Sequence, residues 1–270
     1  MGVLHLDTAL ISQLDAAQFA CTQGRLNAMC DARGDRSLAR FLEWEHLRCT
    51  FSPGVPNQLF NVVRVSGPVR LPDITGALEA YQRHDLAPMI EVSPGAASAE
   101  LAELLSDHGF RHTDFHPIFV RLASELTPSG PSGIDVTRVD GNGDIEVFTE
   151  VYLRGWQVED WLAPHLRSYI AHWPRQRGYE LYVAREEQTP IAVALLFVHG
   201  EVCYLADAAT VPEHRNRGAQ ASLIAARLAR AQELGARVVL GQAAFGSSSQ
   251  RNMERSGLPV CYTRAVWKRE

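Results

Sequence analysis

Asp207-Ala-Ala-Thr-Val-Pro-Glu-His-Arg-Asn-Arg-Gly-Ala-Gln-Ala221 joins the end of an apolar strand to the start of a long helix. Pro212 and Glu213 turn the chain, and Arg215 and Arg217 flank Gly218 where the helix begins. A helix N-terminus offers unpaired N–H groups and the positive end of the helix dipole. Gly218 lets the backbone approach a ligand, and Ala219 and Ala221 keep the mouth open. Together these features read as a pyrophosphate cradle. No Gly-Lys-Ser/Thr follows, so it is not a Walker loop. The three-glycine dinucleotide fingerprint is missing as well. The competing reading is a Gly-Ala-rich helix start with solvated arginines.

Outward from this loop the chain reads as an α/β domain. Ile134–Val139, Tyr179–Arg185, Pro190–Val198, Glu201–Ala209, Arg237–Gln242 and Val260–Trp267 are predicted strands, and Pro190–Val198 is apolar enough to be buried on both faces. Asp144–Gly155 and Asp160–Trp173 are predicted helices capped by Asp144 and Asp160, followed by helices Gly218–Leu234 and Ser247–Ser256. Upstream, Thr127-Pro-Ser-Gly-Pro-Ser-Gly133 reads as a linker. It sets expected boundaries of 1–126, linker 127–133, and 134–270. The turn glycines Gly109 and Gly257 lie 148 residues apart, and at that offset helix, strand, loop, helix, turn and strand recur in order. Two copies of one fold are therefore expected. In the first copy the cradle position falls in Ser66-Gly-Pro-Val-Arg-Leu-Pro72, where two prolines remove N–H donors.

Composition narrows the function. The 270 residues carry 26 basic and 31 acidic side chains, a net charge of −5, which argues against a nucleic-acid-binding surface. The longest apolar run, Ile191–Val198, is too short to span a bilayer. The N-terminal stretch has no basic region or apolar signal core, so a cytoplasmic location is expected. The five cysteines form no CxxC pair and no zinc spacing, so no metal is expected.

Residues 207–221 resemble the acetyl-CoA loop of the GNAT acetyltransferase superfamily, whose pattern is Arg/Gln-x-x-Gly-x-Gly/Ala. Arg215 and Gly218 match it, while Gln220 departs from the sixth position and must point away from the phosphates or donate to them. The element order of 134–270 and the segment Asn252-Met-Glu-Arg-Ser-Gly-Leu258 are similar to the family too. The resemblance implies two GNAT-like domains, each a mixed, largely antiparallel sheet flanked by helices, with a worn first copy. It implies that Ala208 and Thr210 bond the pantetheine arm. Arg215 and the amides of Arg217, Gly218, Ala219, Gln220 and Ala221 would hold the pyrophosphate. Asn252 would reach the pantetheine or phosphate, or else be a helix-surface Asn. The family's Tyr acid falls on Met253, which cannot donate a proton.

The implied activity is transfer of an acetyl group from acetyl-CoA to a primary amine, a small molecule or amino acid, by direct attack. The oxyanion donor would be a backbone N–H near Ala208. Asp207, Tyr204, Glu159 and Asp160 are candidate bases. Trp156, Trp161, His165 and Tyr169 could border the acceptor, and Tyr262 is a further donor or a packed strand aromatic. A non-catalytic CoA-binding module, motivated by Gln220 and Met253, and a structural protein without cofactor stay open. An exposed sheet edge or the first half could support a homodimer, though no pattern specifies one.

Overall fold

The computed structural model describes residues 5–53, 55, 58, 60–131 and 133–269, so Ser132 of the predicted linker lies outside the described residues. Backbone contacts divide the chain into two compact units. The first comprises 1–118, 243–245 and 261–270, and the second 119–242 and 246–260.

The first unit opens with α1 (Thr8–Arg33), which Asp7 caps by accepting from the Leu10 amide. The strands β1 (Arg40–Glu43), β2 (Leu47–Phe51) and β3 (Val62–Val65) follow, then α2 (Leu71–Gln82), β4 (Met89–Val92), α3 (Ala99–Asp107) and β5 (Arg111–Leu122). The second unit takes over within β5, at Phe119. It adds β6 (Ile134–Arg138), α4 (Asn142–Gly155), α5 (Ala163–Ile170), β7 (Tyr179–Glu186), β8 (Thr189–His199), β9 (Val202–Thr210), α6 (Ala219–Glu233), β10 (Val238–Gln242) and α7 (Ser248–Arg255). The last strand, β11 (Val260–Lys268), returns to the first unit from Cys261 onward. Two segments thus lie across the boundaries expected from the linker. Residues 119–126 join the second unit, and β11 joins the first, where it pairs antiparallel with β4.

The same pairing scheme recurs in each unit. In the first, β1/β2 and β2/β3 are antiparallel and β3/β4 parallel. In the second, β6/β7, β7/β8 and β8/β9 are antiparallel and β9/β10 parallel. The strand pairing within each unit is therefore mixed and largely antiparallel, as expected. The 148-residue offset carries the start of α2 onto that of α6, and Gly109 and Gly257 have φ of 82° and 83°. The units differ at the parallel pair. Every residue of β3 is paired with β4, whereas β9 leaves β10 after Leu205–Gly241 and continues to Thr210 paired with β8.

Helix α1 hides its amphipathicity, because Asp15, Gln18 and Thr22 are buried among Leu14, Phe19 and Leu26. The polar side chains are held by arginines from the sheet. Arg48 Nη1 donates to Asp15 Oδ2 at 3.1 Å, and Arg264 Nη1 to Gln18 Oε1 at 2.6 Å. Arg64 Nε donates to Glu91 Oε2 at 2.8 Å, and His116 Nδ1 lies 2.6 Å from Glu91 Oε1. Glu91 has no solvent exposure. Burial works against its charge, yet Arg64, His116 and Arg264 outweigh it and hold its carboxyl well below the usual range. Tyr262, the further candidate donor, is buried in this cluster as a packed strand aromatic, with Arg264 Nη2 3.4 Å from its hydroxyl. Tyr81 of α2, also fully buried, donates to the carbonyls of Thr50 on β2 and Val62 on β3.

In the second unit Ile191–Phe197 of β8 is buried throughout, as its unbroken apolar run predicts. Phe148, Trp173, Tyr179 and Phe197 form a chain of edge-on aromatic contacts beside it. Two predicted helix starts are displaced. Asp144 sits inside the first turn of α4, which begins after Gly141. The helix expected from Asp160 starts only at Ala163, because Pro164 fits the first turn alone. Asp160 is thus no cap, and Trp161 precedes the helix that was to align it with His165 and Tyr169.

Candidate functional site

The cradle is built by the chain leaving β9. After the short turn Pro212–His214, Asn216 and Gly218 both take left-handed backbone, at φ 63° and 92°. Asn tolerates that region and glycine occupies it freely. A β-carbon on Gly218 would also fall 2.5 Å from Pro131 Cγ, so glycine is required there twice over. No side chain caps α6 at Gly218, so its first-turn amides keep their capacity for a ligand.

These amides face a cavity of about 930 Å³. Its walls come from the α4 end (Gly155–Gln157), the β9 end (Ala208–Thr210), the loop and first turn of α6, and the N-terminal part of α7. Arg215, Arg251 and Arg255 line it, and among the described residues no carboxylate does. In a chain of net charge −5, that is a locally cationic wall suited to a polyanion. Trp156 adds an aromatic surface that is 54% exposed.

The wall opposite α6 is shaped by a bulge. Leu195 pairs with Ala206 and Val193 with Ala209, so Asp207 and Ala208 both oppose Ala194. Asp207 takes φ 40° there. A non-glycine residue in that region costs on the order of 1–3 kcal/mol, held by its surroundings. Beyond Leu205–Gly241 β9 is no longer paired with β10, and Ala208–Thr210 at its end line the cavity.

The predicted residues do not all converge. Ala208, Thr210, Arg215, Gly218, Ala219, Gln220, Ala221 and Asn252 line the cavity. The Arg215 guanidinium ties the wall together, donating to Gly155 O at 2.9 Å and Thr210 O at 3.2 Å. Gln220 is held against the β9 end, its Nε2 donating to Thr210 Oγ1 at 2.8 Å. Arg217 pairs with Glu186 at 3.2 Å, so its side chain adds no charge to the wall. Asp207 and Tyr204 lie on β9 but not among the lining residues, and neither do Glu159, Asp160, Trp161, His165 or Tyr169. Trp161 instead donates to Glu159 at 3.0 Å and is 70% exposed. Met253 is buried, and a β-carbon on Gly241 would lie 3.2 Å from its sulfur.

The sequence reading missed Ser248, Ser249, Arg251 and Arg255. Their signal was present: Arg251 and Arg255 stand one turn apart beside Asn252, so all three share a helix face. Among the described residues no group of His, Cys, Asp and Glu could hold a metal, and no helix is long and apolar enough to cross a membrane.

A solved GCN5-related N-acetyltransferase from Kribbella flavida superposes with a TM-score of 0.66 at 18% identity, covering 94% of this chain and 95% of that one. A tandem GNAT protein from the clavulanic acid biosynthesis pathway gives 0.58 at 15% identity, over 82% and 77%. A GCN5-related N-acetyltransferase from Sphaerobacter thermophilus gives 0.57 at 15%, over 94% and 93%. At such identities the likeness is one of fold. No curated protein sequence matches the chain. Over residues 121–243, which hold the bulge and the cradle, the chain matches the acetyltransferase (GNAT) domain.

Proposed function

We propose that the chain is an acyl-CoA-dependent N-acetyltransferase that moves the acetyl group of acetyl-CoA to a primary amine of a small molecule or amino acid. The observation that carries this is the uncapped α6 N-terminus opening on a three-arginine cavity beside a bulged strand. Acetyl-CoA would supply an activated thioester carbonyl. The first-turn amides of α6, with Arg251 and Arg255, would bind its phosphates, and Asn252 and the β9 end its pantetheine arm. Arg215 fixes that wall through Gly155 and Thr210. The Ala208 amide is the candidate oxyanion donor. Asp207 and Tyr204 are candidate bases only through an intervening water, since neither lines the cavity. The first unit is read as a worn copy without CoA. Its β3 and β4 stay paired throughout, and α2 carries a proline in its first turn. The protein is read as cytoplasmic, and a homodimer is left to measurement.

Calorimetric titration with acetyl-CoA tests the reading. Micromolar binding by the native protein, lost in Gly218→Glu, is expected; no binding by the native protein refutes the site. A second reading, a CoA-binding protein without turnover, is favoured by the buried Met253 where the family carries an acid. Release of CoA in the presence of an amine panel separates the two.

A further inference from the structure

Arg227 of α6 is fully buried, although it stands on a helix whose other buried side chains are mostly small or apolar. Its Nε donates to Leu223 O at 3.0 Å, within the helix. Its Nη1 donates to Leu195 O on β8 at 3.0 Å and to Ala206 O on β9 at 3.3 Å. Its Nη2 has no hydrogen-bond partner among the described residues. Burying a guanidinium with a spare donor is costly, and a Met or Leu would fill the space at less cost. The two carbonyls it grips belong to the residue pair at which the register breaks. A bulge leaves local backbone groups without ladder partners, and buried carbonyls need donors.

The first unit offers an internal control. There Tyr81 of α2 donates to Thr50 O and Val62 O, again bridging two neighbouring strands from the overlying helix. Thr50 and Val62 are paired in regular register, and the bridging group is a neutral hydroxyl. The cationic version stands where the strand is bulged and its neighbour Ala208 lines the cavity.

We propose that Arg227 is a positioning residue for acyl transfer: by clamping the Leu195 and Ala206 carbonyls it fixes the bulge and thereby the direction of the Ala208 amide. The Ala206 carbonyl belongs to the peptide that ends at the Asp207 nitrogen. With that peptide anchored, the left-handed φ of Asp207 sets the plane of the next one, which carries the Ala208 N–H. None of the carbonyls that Arg227 bonds belongs to a cavity-lining residue, so it acts through the strand. Burial pushes its guanidinium down to about 10, against the nearby Tyr182 and Asp207, so it stays charged at neutral pH. This inference rests on the acetyltransferase reading.

The test compares Arg227→Met, which keeps length without charge, with Arg227→Lys, which keeps a charged donor. Each is checked by thermal unfolding, acetyl-CoA calorimetry, steady-state kinetics with an amine that the native protein acetylates, and amide hydrogen exchange of the β9 segment. For Arg227→Met, kcat is expected to fall at least about 30-fold with KM and Kd for acetyl-CoA within about threefold. Arg227→Lys should recover most of the loss. Amides of 206–209 should exchange at least about tenfold faster in Arg227→Met, with β7 unchanged. A kcat within threefold of native, or equal losses of kcat and affinity with no rescue by Lys, overturns the proposal. Should the native protein acetylate no amine, the acetyltransferase reading fails on its own, and the exchange result decides the clamp. Unaltered exchange at 206–209 then overturns it.

Discussion

Two carboxylates of the first unit accept from arginines at the same 2.8 Å, Glu91 from Arg64 and Glu43 from Arg48. They differ in burial: the Glu91 side chain is 0% exposed and that of Glu43 54%. Changing each to Gln removes one charge with little change of shape. For Glu91→Gln, Arg64 and Arg264 are left facing an amide in a fully buried site, and losing one partner of a buried pair costs about 3–5 kcal/mol. For Glu43→Gln, the lost carboxylate is itself half exposed and Arg48 keeps Asp15, so the cost is about 0–1 kcal/mol. At roughly 1.4 kcal/mol per tenfold, Glu91→Gln should reduce the protection of core amides in β3 and β4 by roughly two to three and a half powers of ten. Glu43→Gln should change it by less than one. The assay is native-state hydrogen exchange at pH 7, read by peptide. The second unit, which does not contain either residue, serves as reference. Similar losses in both variants would refute the reasoning, because burial would not be the deciding quantity. The pH dependence follows with a definite sign. The Glu91 carboxyl is depressed from 4.5 in the folded chain, so its contribution is complete above that value and is lost as pH falls below it. Glu91→Gln should lose less of its first-unit stability on acidification than the native protein does.

Other outcomes follow from the same structure. Arg251→Gln with Arg255→Gln should weaken acetyl-CoA binding about three- to tenfold and flatten its salt dependence, read by calorimetry at two ionic strengths. Gln220→Met removes one hydrogen bond to Thr210 and should cost about 1 kcal/mol in thermal unfolding while acetyl-CoA still binds. Loss of binding would mean that Gln220 itself contacts the phosphates. Deleting 261–270 should abolish protection of β3 and β4 while β8 stays protected, because only the first unit loses a strand and Arg264. For the same reason residues 1–126 alone should give no folded spectrum by circular dichroism.

Much of this fold is visible in the sequence. The Gly218 helix start, the buried β8 run and the 148-residue recurrence all come from local pattern, and local pattern survives in the structure. What escapes is set by partners distant in sequence. Helix α1 lacks a clean apolar stripe because Asp15 and Gln18 meet arginines of β2 and β11. Arg227 looks like a solvent-facing arginine, since the carbonyls that hold it come from β8 and β9. The alternation of β11 would suit the strands of either unit, so nothing in its residues tells which unit it completes. At the site, the loop and its glycine were legible, while the outward turn of Arg217 depends on Glu186, some thirty residues earlier.

The return of β11 to the first unit reverses the usual order of maturation on a ribosome. Residues 1–118 emerge first, yet their sheet waits for a strand made only after residue 260. At about 5–20 residues per second, that interval is roughly 7–30 s. The second unit has all its own segments once residue 260 is out, so it can close first. Throughout the wait Asp15 and Glu91 lack Arg264, and β4 presents an unpaired edge to other chains. Nascent protein should therefore be most prone to aggregation, and most dependent on chaperones, through its N-terminal part.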